Sequence, residues 1–380
     1  MAQDKQAGRG GPDIQVIGSN PVLLWGMTST ERTRRIARAA GLGFPETAGV
    51  SAPVLLVNAG FAFDPEWLKH VAAHPGMMLT HGGVPVLAHA ASPAQVEAAA
   101  AAMRADAAVP AGLFETIAYE NGASLENKAL RKRETPFLDR LRRETVPALE
   151  RASYKGAYKG VTDLLTKYLW PQWAFVLTRI AARIGLSPNM VTAMGAILCV
   201  IATICFARGF YWTGLGLGLI FMVFDTVDGK LARCTITSSW WGNVFDHGID
   251  LIHPPIWWYV WGVGLGAAGL ALSNTLFWAV MAVMAAGYVL QRVIEGLFIK
   301  SFGMHIHVWR KVDSDFRLIT ARRNPNMLIL FVSLLFARPD IGLVAVAGWT
   351  AISLVVHMIQ LVQAHAARAR GEILVSWLSA

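Results

Sequence analysis

Four aspartates carry the strongest chemical signal in the chain. Asp225 and Asp228 stand three residues apart near the end of one apolar run, and Asp246 and Asp250 stand four apart near the start of the next. Helical spacing places each pair on a single helix face, and a short turn between the helices lets the two faces converge on one anionic pocket. A carboxylate inside a transmembrane helix costs at least ~2.5 kcal/mol, so four of them need a compensating partner. All-oxygen ligation with no cysteine nearby is the preference of a hard ion such as Mg²⁺ or Mn²⁺. His247, directly after Asp246, points off that face and is read as packing or support. Gly229 and Ala232 share a helical side with Asp225 and leave room for a flat base or sugar beside the backbone. Arg233 has the charge and the fork geometry for a phosphate. Two plainer readings stand beside this one: solvated charges at helix ends, and an ion-conducting path.

The elements that must position these residues are mostly apolar. The chain has 380 residues, 54% of them hydrophobic, with a net charge of +9. Its positive charge gathers between Lys128 and Lys159 and between Lys300 and Arg323, bordering apolar stretches. That placement suits anionic lipid headgroups and phosphorylated substrates, and no nucleic-acid partner is expected. Cys199, Cys205 and Cys234 show no metal-type spacing and read as reduced. The opening residues have no apolar core of signal-peptide length, so insertion must be driven by later segments.

Residues 1–125 alternate short β-type runs with Ala- and Arg-rich helical stretches, predicting a small cytoplasmic α/β domain. Residues 126–158, charged and broken by Pro136 and Pro147, read as an exposed basic linker. Residues 159–187 read as an amphipathic helix at the lipid interface, with Leu164, Leu165, Tyr168, Leu169, Trp170 and Trp173 on its apolar side. Residues 188–370 hold six apolar segments: Met190 to Phe210, Tyr211 to Arg233, Asn243 to Leu265, Thr275 to Ile299, Met327 to Ala337 and Ile341 to Gln363. The fold expected is a polytopic α-helical membrane protein of six transmembrane helices preceded by the α/β domain. Ser187-Pro188 and Asn324-Pro325 are helix-start signals for the first and fifth spans. Basic residues in the N-terminal region, in the loop with Arg310, Lys311, Arg317, Arg322 and Arg323, and in the tail with Arg368 and Arg370 place both termini in the cytoplasm of a bacterial-type inner membrane.

The pattern D-x2-D-G-x2-A-R-x8-G-x3-D-x3-D, with every named position filled, resembles the signature of the CDP-alcohol phosphotransferases. The resemblance runs from about Lys155 to the C-terminus and includes Pro188, Asn189 and Thr192 at the entry to the first span. It implies that Asp225, Asp228 and Asp246 are metal ligands for two Mg²⁺ or Mn²⁺ ions, and that Asp250 borders the metal site and is the general base. It further implies that Gly229, Ala232, Arg233 and Thr192 hold the CDP part of the donor. The activity implied is transfer of a phosphoalcohol group from a CDP-alcohol to a hydroxyl acceptor, phosphorylated or not, with release of CMP. Membrane lipid and a second copy of the chain are the other partners it implies. The alternative of a different class is a cation-coupled transporter using the same aspartates, which calls for acidic residues toward the bilayer midplane on several helices.

Weaker signals surround this core. Gly214, Gly216 and Gly218 lie inside an apolar span and read as a helix-packing face, Gly214 to Gly218. His305 and His307 read as loop residues, and His253-Pro254-Pro255 as a bend in the third span. Lys155, Lys159, Arg292, Arg317, Arg322 and Arg323 read mainly as charge anchors at the cytoplasmic face. Arg292, with Glu295 one turn away, is the one least explained by topology and the candidate for a phosphorylated acceptor. The first domain resembles the nucleotidyltransferase-like domains fused to some relatives, through Val54 to Gly60 and Gly82 to Val86. It has Leu24 to Ser29 in place of a Gly-rich loop ending in arginine, and Gly60 in place of a metal-binding aspartate, so a catalytically silent domain is expected.

Overall fold

The apolar run Val54–Asn58, bounded by turn-forming residues, becomes the fully buried second strand of a five-stranded sheet. A computed structural model describes residues 11–45 and 52–379; most of the opening stretch read as lacking a signal peptide, residues 1–10, lies outside the described residues. The sheet contains β1 (Asp13–Ile17), β2 (Val54–Asn58), β4 (Met77–His81), β5 (Val84–Ala90) and β6 (Glu115–Ala118) in the order β1-β2-β5-β4-β6. The β1-β2 and β4-β6 pairs are parallel, and β5 runs antiparallel to both its neighbours. Helices α1 (Ser29–Ala40), α2 (Pro65–Ala72) and α3 (Pro93–Ala105) complete it, each opened by a side-chain cap from Thr28, Asp64 or Ser92. Leu24 and Met27 exchange two backbone hydrogen bonds across a tight turn whose apolar side chains are buried.

Residues 126–158 do not hang free. A short hairpin pairs β7 (Leu125–Asn127) with β8 (Lys132–Glu134), and β9 (Leu138–Arg140) pairs back onto β3 (Phe61–Phe63). Helix α4 (Val146–Gly156) follows, and Trp25 Nε1 donates to Ser153 Oγ at 2.7 Å to hold it against the first domain. Alternating charge hid these contacts from the sequence, because strands this short show little periodicity. The segment read as one amphipathic helix is also divided: a π-turn at Leu165–Leu169 precedes α5 (Pro171–Arg183), since Pro171 cannot continue a helix from its N-terminal side. Tyr168, Leu169, Trp173, Val176 and Ile180 remain exposed, as an interfacial segment requires.

The rest of the chain is helical: α6 (Pro188–Ala207), α7 (Tyr211–Cys234), α8 (Trp240–Gly264), α9 (Asn274–Phe302), the short α10 (Lys311–Arg317), α11 (Arg323–Leu335) and α12 (Pro339–Ala369). Of these, α6, α9 and α12 are long and apolar enough to cross a membrane. Ser187 caps α6 as its sequence indicated, with its hydroxyl 3.3 Å from the Met190 amide. Polar residues are admitted to the largely apolar interior while many apolar ones face outward. Gln291, Thr350, Ser353, His357 and Gln360 are buried, whereas Ile197, Val200, Ile204, Val289, Val355 and Ile359 face outward. Small residues allow close approach. A Cβ on Gly214 would lie 2.6 Å from the Phe206 ring and one on Gly218 2.9 Å from Trp257, while Gly216 faces open space. The packing face is therefore Gly214 with Gly218, one turn apart.

Candidate active site

The two helices run on beyond the aspartates. Asp225 lies nine residues before the end of α7, a recess of about 14 Å along the helix. The carboxylates lie within the two helices and line a cavity shared with the segment before α5. The cavity encloses about 220 Å³.

Asp225, Asp246 and Asp250 each offer a carboxylate oxygen within 4.8 Å of the others. The fourth aspartate turns aside. Asp228, almost fully buried, accepts from Thr192 Oγ1 at 2.5 Å and from the Gly229 amide at 2.5 Å. That bond ties α7 to the first turn of α6. Thr192, Gly229 and Ala232 line a small cleft together with Asp228 and Asp246, so three of the residues assigned to the CDP group lie in one place. Arg233 lines the neighbouring main cavity and its Nε donates to the Ala157 carbonyl at 2.9 Å. Lys230 donates to the same carbonyl at 3.0 Å and lies over the Tyr158 ring, which locks α7 to the chain that follows α4. His247 is exposed, with Nδ1 bonded to the Asn243 carbonyl and 3.8 Å from Asp246 Oδ2.

Arg323, at the start of α11, joins the pocket directly. Its Nη2 is 2.5 Å from Asp225 Oδ2 and its Nη1 2.5 Å from Asp250 Oδ1, so one planar fork spans carboxylates from two helices. The sequence reading treated this arginine as an anchor. Its position immediately before Asn324-Pro325 was the available clue, since a helix start there aims the residue at whatever α11 packs against. Asn324 in turn donates to Asp163 Oδ1 at 2.9 Å and to Thr166, fixing the juxtamembrane segment to the same helix start.

The same cavity is also lined by cations. Lys159, Arg292, Arg317 and Arg322 line it, and so does Arg131 from the β7-β8 hairpin, which the sequence reading placed in a free linker. Burial, with Arg131 and Arg233 beside it, pushes the Lys159 ammonium down to about 8. Lys155 faces a separate, more apolar cleft near Phe175. Glu295 is clasped by Arg322 and lies 3.6 Å from Arg292. His307 is not a plain loop residue. It is buried in a 3₁₀ turn with Nε2 3.5 Å from Glu295, beside the equally buried His357. With two arginines already on the carboxylate, the arrangement braces α9 against α12.

The CDP-alcohol phosphatidyltransferase family model matches residues 185–359. Phosphatidylinositol phosphate synthase of Cutibacterium acnes is 35% identical over 117 residues, 30% of this chain and 55% of that protein. Cholinephosphotransferase 1 of Gallus gallus is 35% identical over 115 residues, 27% of this chain and 33% of that protein. The chain thus spans about half or less of the length of these curated relatives. A crystal structure of Mycobacterium tuberculosis phosphatidylinositol phosphate synthase with CDP-DAG bound is similar at a TM-score of 0.40 and 18% identity, over 50% of this chain and 92% of that one. The aspartate motif, Asp225 to Asp250, lies within the residues that match the CDP-alcohol phosphatidyltransferase family model.

Proposed function

We propose that this protein transfers a phosphoalcohol group from a CDP-alcohol to the hydroxyl of a phosphorylated acceptor, releasing CMP. The observation that carries the reading is that one cavity is lined by both the aspartates and a cluster of cations. Asp225, Asp246 and Asp250 supply hard oxygen donors close enough to share a divalent cation, and Asp228 borders them from the nucleotide cleft. Two Mg²⁺ or Mn²⁺ ions there would offset charge on a bound diphosphate. Thr192, Gly229 and Ala232 form the cleft for the nucleoside, and Arg233 stands where the cleft meets the cavity.

Asp250 takes the proton from the acceptor hydroxyl. The acceptor oxygen bonds to the phosphorus nearer the alcohol, the bond from that phosphorus to the bridging oxygen breaks, and CMP leaves with the electron pair. Arg323 holds Asp250 from behind through Nη1. The five cations of this cluster suit an acceptor that carries its own phosphate, and they would repel a quaternary ammonium. They favour a reaction of the kind named by the phosphatidylinositol phosphate synthase relative over that of the cholinephosphotransferases.

The setting belongs to the same proposal: α6, α7, α8, α9, α11 and α12 cross a cell membrane of bacterial inner-membrane type, both termini are cytoplasmic, and two copies associate through these helices. Its support is the outward apolar surface of the helices and the meeting of cavity, basic loop and α/β domain on one side. The first domain holds no nucleotide in this reading, because buried Leu24, Trp25 and Met27 fill the turn where a phosphate loop would stand. Purified full-length protein with Mg²⁺ should release CMP from CDP-diacylglycerol when given sn-glycerol 3-phosphate or inositol 1-phosphate, and far less with glycerol or inositol. Equal rates with the unphosphorylated alcohols would remove the assigned role of the cation cluster.

A further inference from the structure

Arg131 reaches the catalytic cavity from outside the family domain, and three local features hold it there. Its hairpin loop is closed by Asn127 Oδ1, which accepts from the Leu130 amide at 2.9 Å, and by the Arg131 amide donating to the Lys128 carbonyl at 3.2 Å. The loop is tied to the juxtamembrane segment on both sides: the Gly160 amide donates to the Leu130 carbonyl at 2.8 Å, and Lys132 Nζ to the Gly156 carbonyl at 2.5 Å. The approach is close enough to require glycine, because a Cβ on Gly160 would lie 2.5 Å from the Arg131 carbonyl oxygen. Arg131 itself adopts φ of 51°, a conformation glycine or asparagine would enter more cheaply.

The surroundings give that placement a purpose. Arg131 lines the cavity with Lys159, Arg292, Arg317 and Arg322, against which stand Glu295, already clasped by Arg322, and Asp163, bonded to Asn324. Arg317 keeps Nε and Nη1 buried with no hydrogen-bond partner among the described residues. Like charges brought together out of water cost energy unless an anion joins them. We propose that Arg131 is an acceptor-binding residue, delivered by the N-terminal region, that engages the acceptor's phosphate and makes that region a determinant of acceptor specificity. The inference rests on the proposed transferase reading and adds to it that the β7-β8 hairpin completes the active site.

The test uses full-length protein in detergent, CDP-diacylglycerol and Mg²⁺, with inositol 1-phosphate and sn-glycerol 3-phosphate as acceptors and CMP release as the readout. Arg131→Gln should raise KM for the phosphorylated acceptor by about 10- to 100-fold, the loss of one charge-assisted contact. KM for the donor should stay within about twofold, and Arg131→Lys should recover most of the acceptor affinity. Gly160→Val, which pushes the hairpin off its seat without touching a charge, should reproduce the Arg131→Gln effect. If wild type requires a phosphorylated acceptor but neither variant moves its KM, the inference about Arg131 is overturned while the transferase reading stands. If wild type turns over the unphosphorylated alcohols equally well, the acceptor reading fails and this inference fails with it.

Discussion

Asp250→Asn is expected to lower CMP release about 100- to 10,000-fold while leaving the affinity for the CDP donor within a few-fold of wild type. The substitution keeps the size and an oxygen that can accept from Arg323, so the α8-α11 contact survives. It removes the ability to take a proton from the attacking hydroxyl. In the proposed reading donor binding rests on Thr192, Gly229 and Ala232, which line an adjoining cleft that does not include Asp250. Measured under single-turnover conditions with saturating acceptor, the defect should fall on the chemical step. A variant that loses donor binding but turns over normally once loaded would contradict the assignment of Asp250 as the base.

Arg323→Gln is expected to destabilise the protein by about 3 kcal/mol when divalent cations are chelated, and by much less when Mg²⁺ is supplied. The guanidinium spans Asp225 and Asp250, and its own side chain is 14% exposed, so its loss strands two facing carboxylates without their shared countercharge. The low end of the buried-pair range is used because the Asp250 side chain is 44% exposed. A divalent cation restores the missing charge, so the stability gap between variant and wild type should close as Mg²⁺ rises. The readout is the thermal midpoint of the detergent-solubilised protein, with and without chelator. An equal loss in both conditions would mean that Arg323 acts by packing against Phe221, over which it lies at 5.2 Å, and not by charge.

The division between what could be read from the residues and what could not has a physical basis. Period and charge exclusion are local properties, and they sufficed for the aspartate pairs, for Ser187 at the α6 start and for the Gly214-Gly218 face. The meeting of Thr192 with Asp228 depends on how α6 packs against α7, and the family resemblance implied a CDP-binding role for one and a metal-binding role for the other without giving their contact. The cation cluster was less visible, because a lysine or arginine beside an apolar span satisfies the topology rule whether or not it turns inward. Arg323 and Lys159 therefore read as anchors. Arg131 was hidden more deeply: its hairpin has three residues per strand, too few for a period, and its contact with the cavity depends on Gly160 some thirty positions later. His307 was misread for a related reason, since its partners Glu295 and His357 come from two other helices.

The central claim is that converging carboxylates hold divalent cations that bridge a nucleotide diphosphate, and titration of Mn²⁺ into the full-length protein, followed by electron paramagnetic resonance, tests it most directly. With CDP-diacylglycerol present we expect about two bound Mn²⁺ per chain, falling when Asp225 or Asp246 is replaced by Asn. Equal Mn²⁺ binding by wild type and the Asp225→Asn, Asp246→Asn double variant would contradict it.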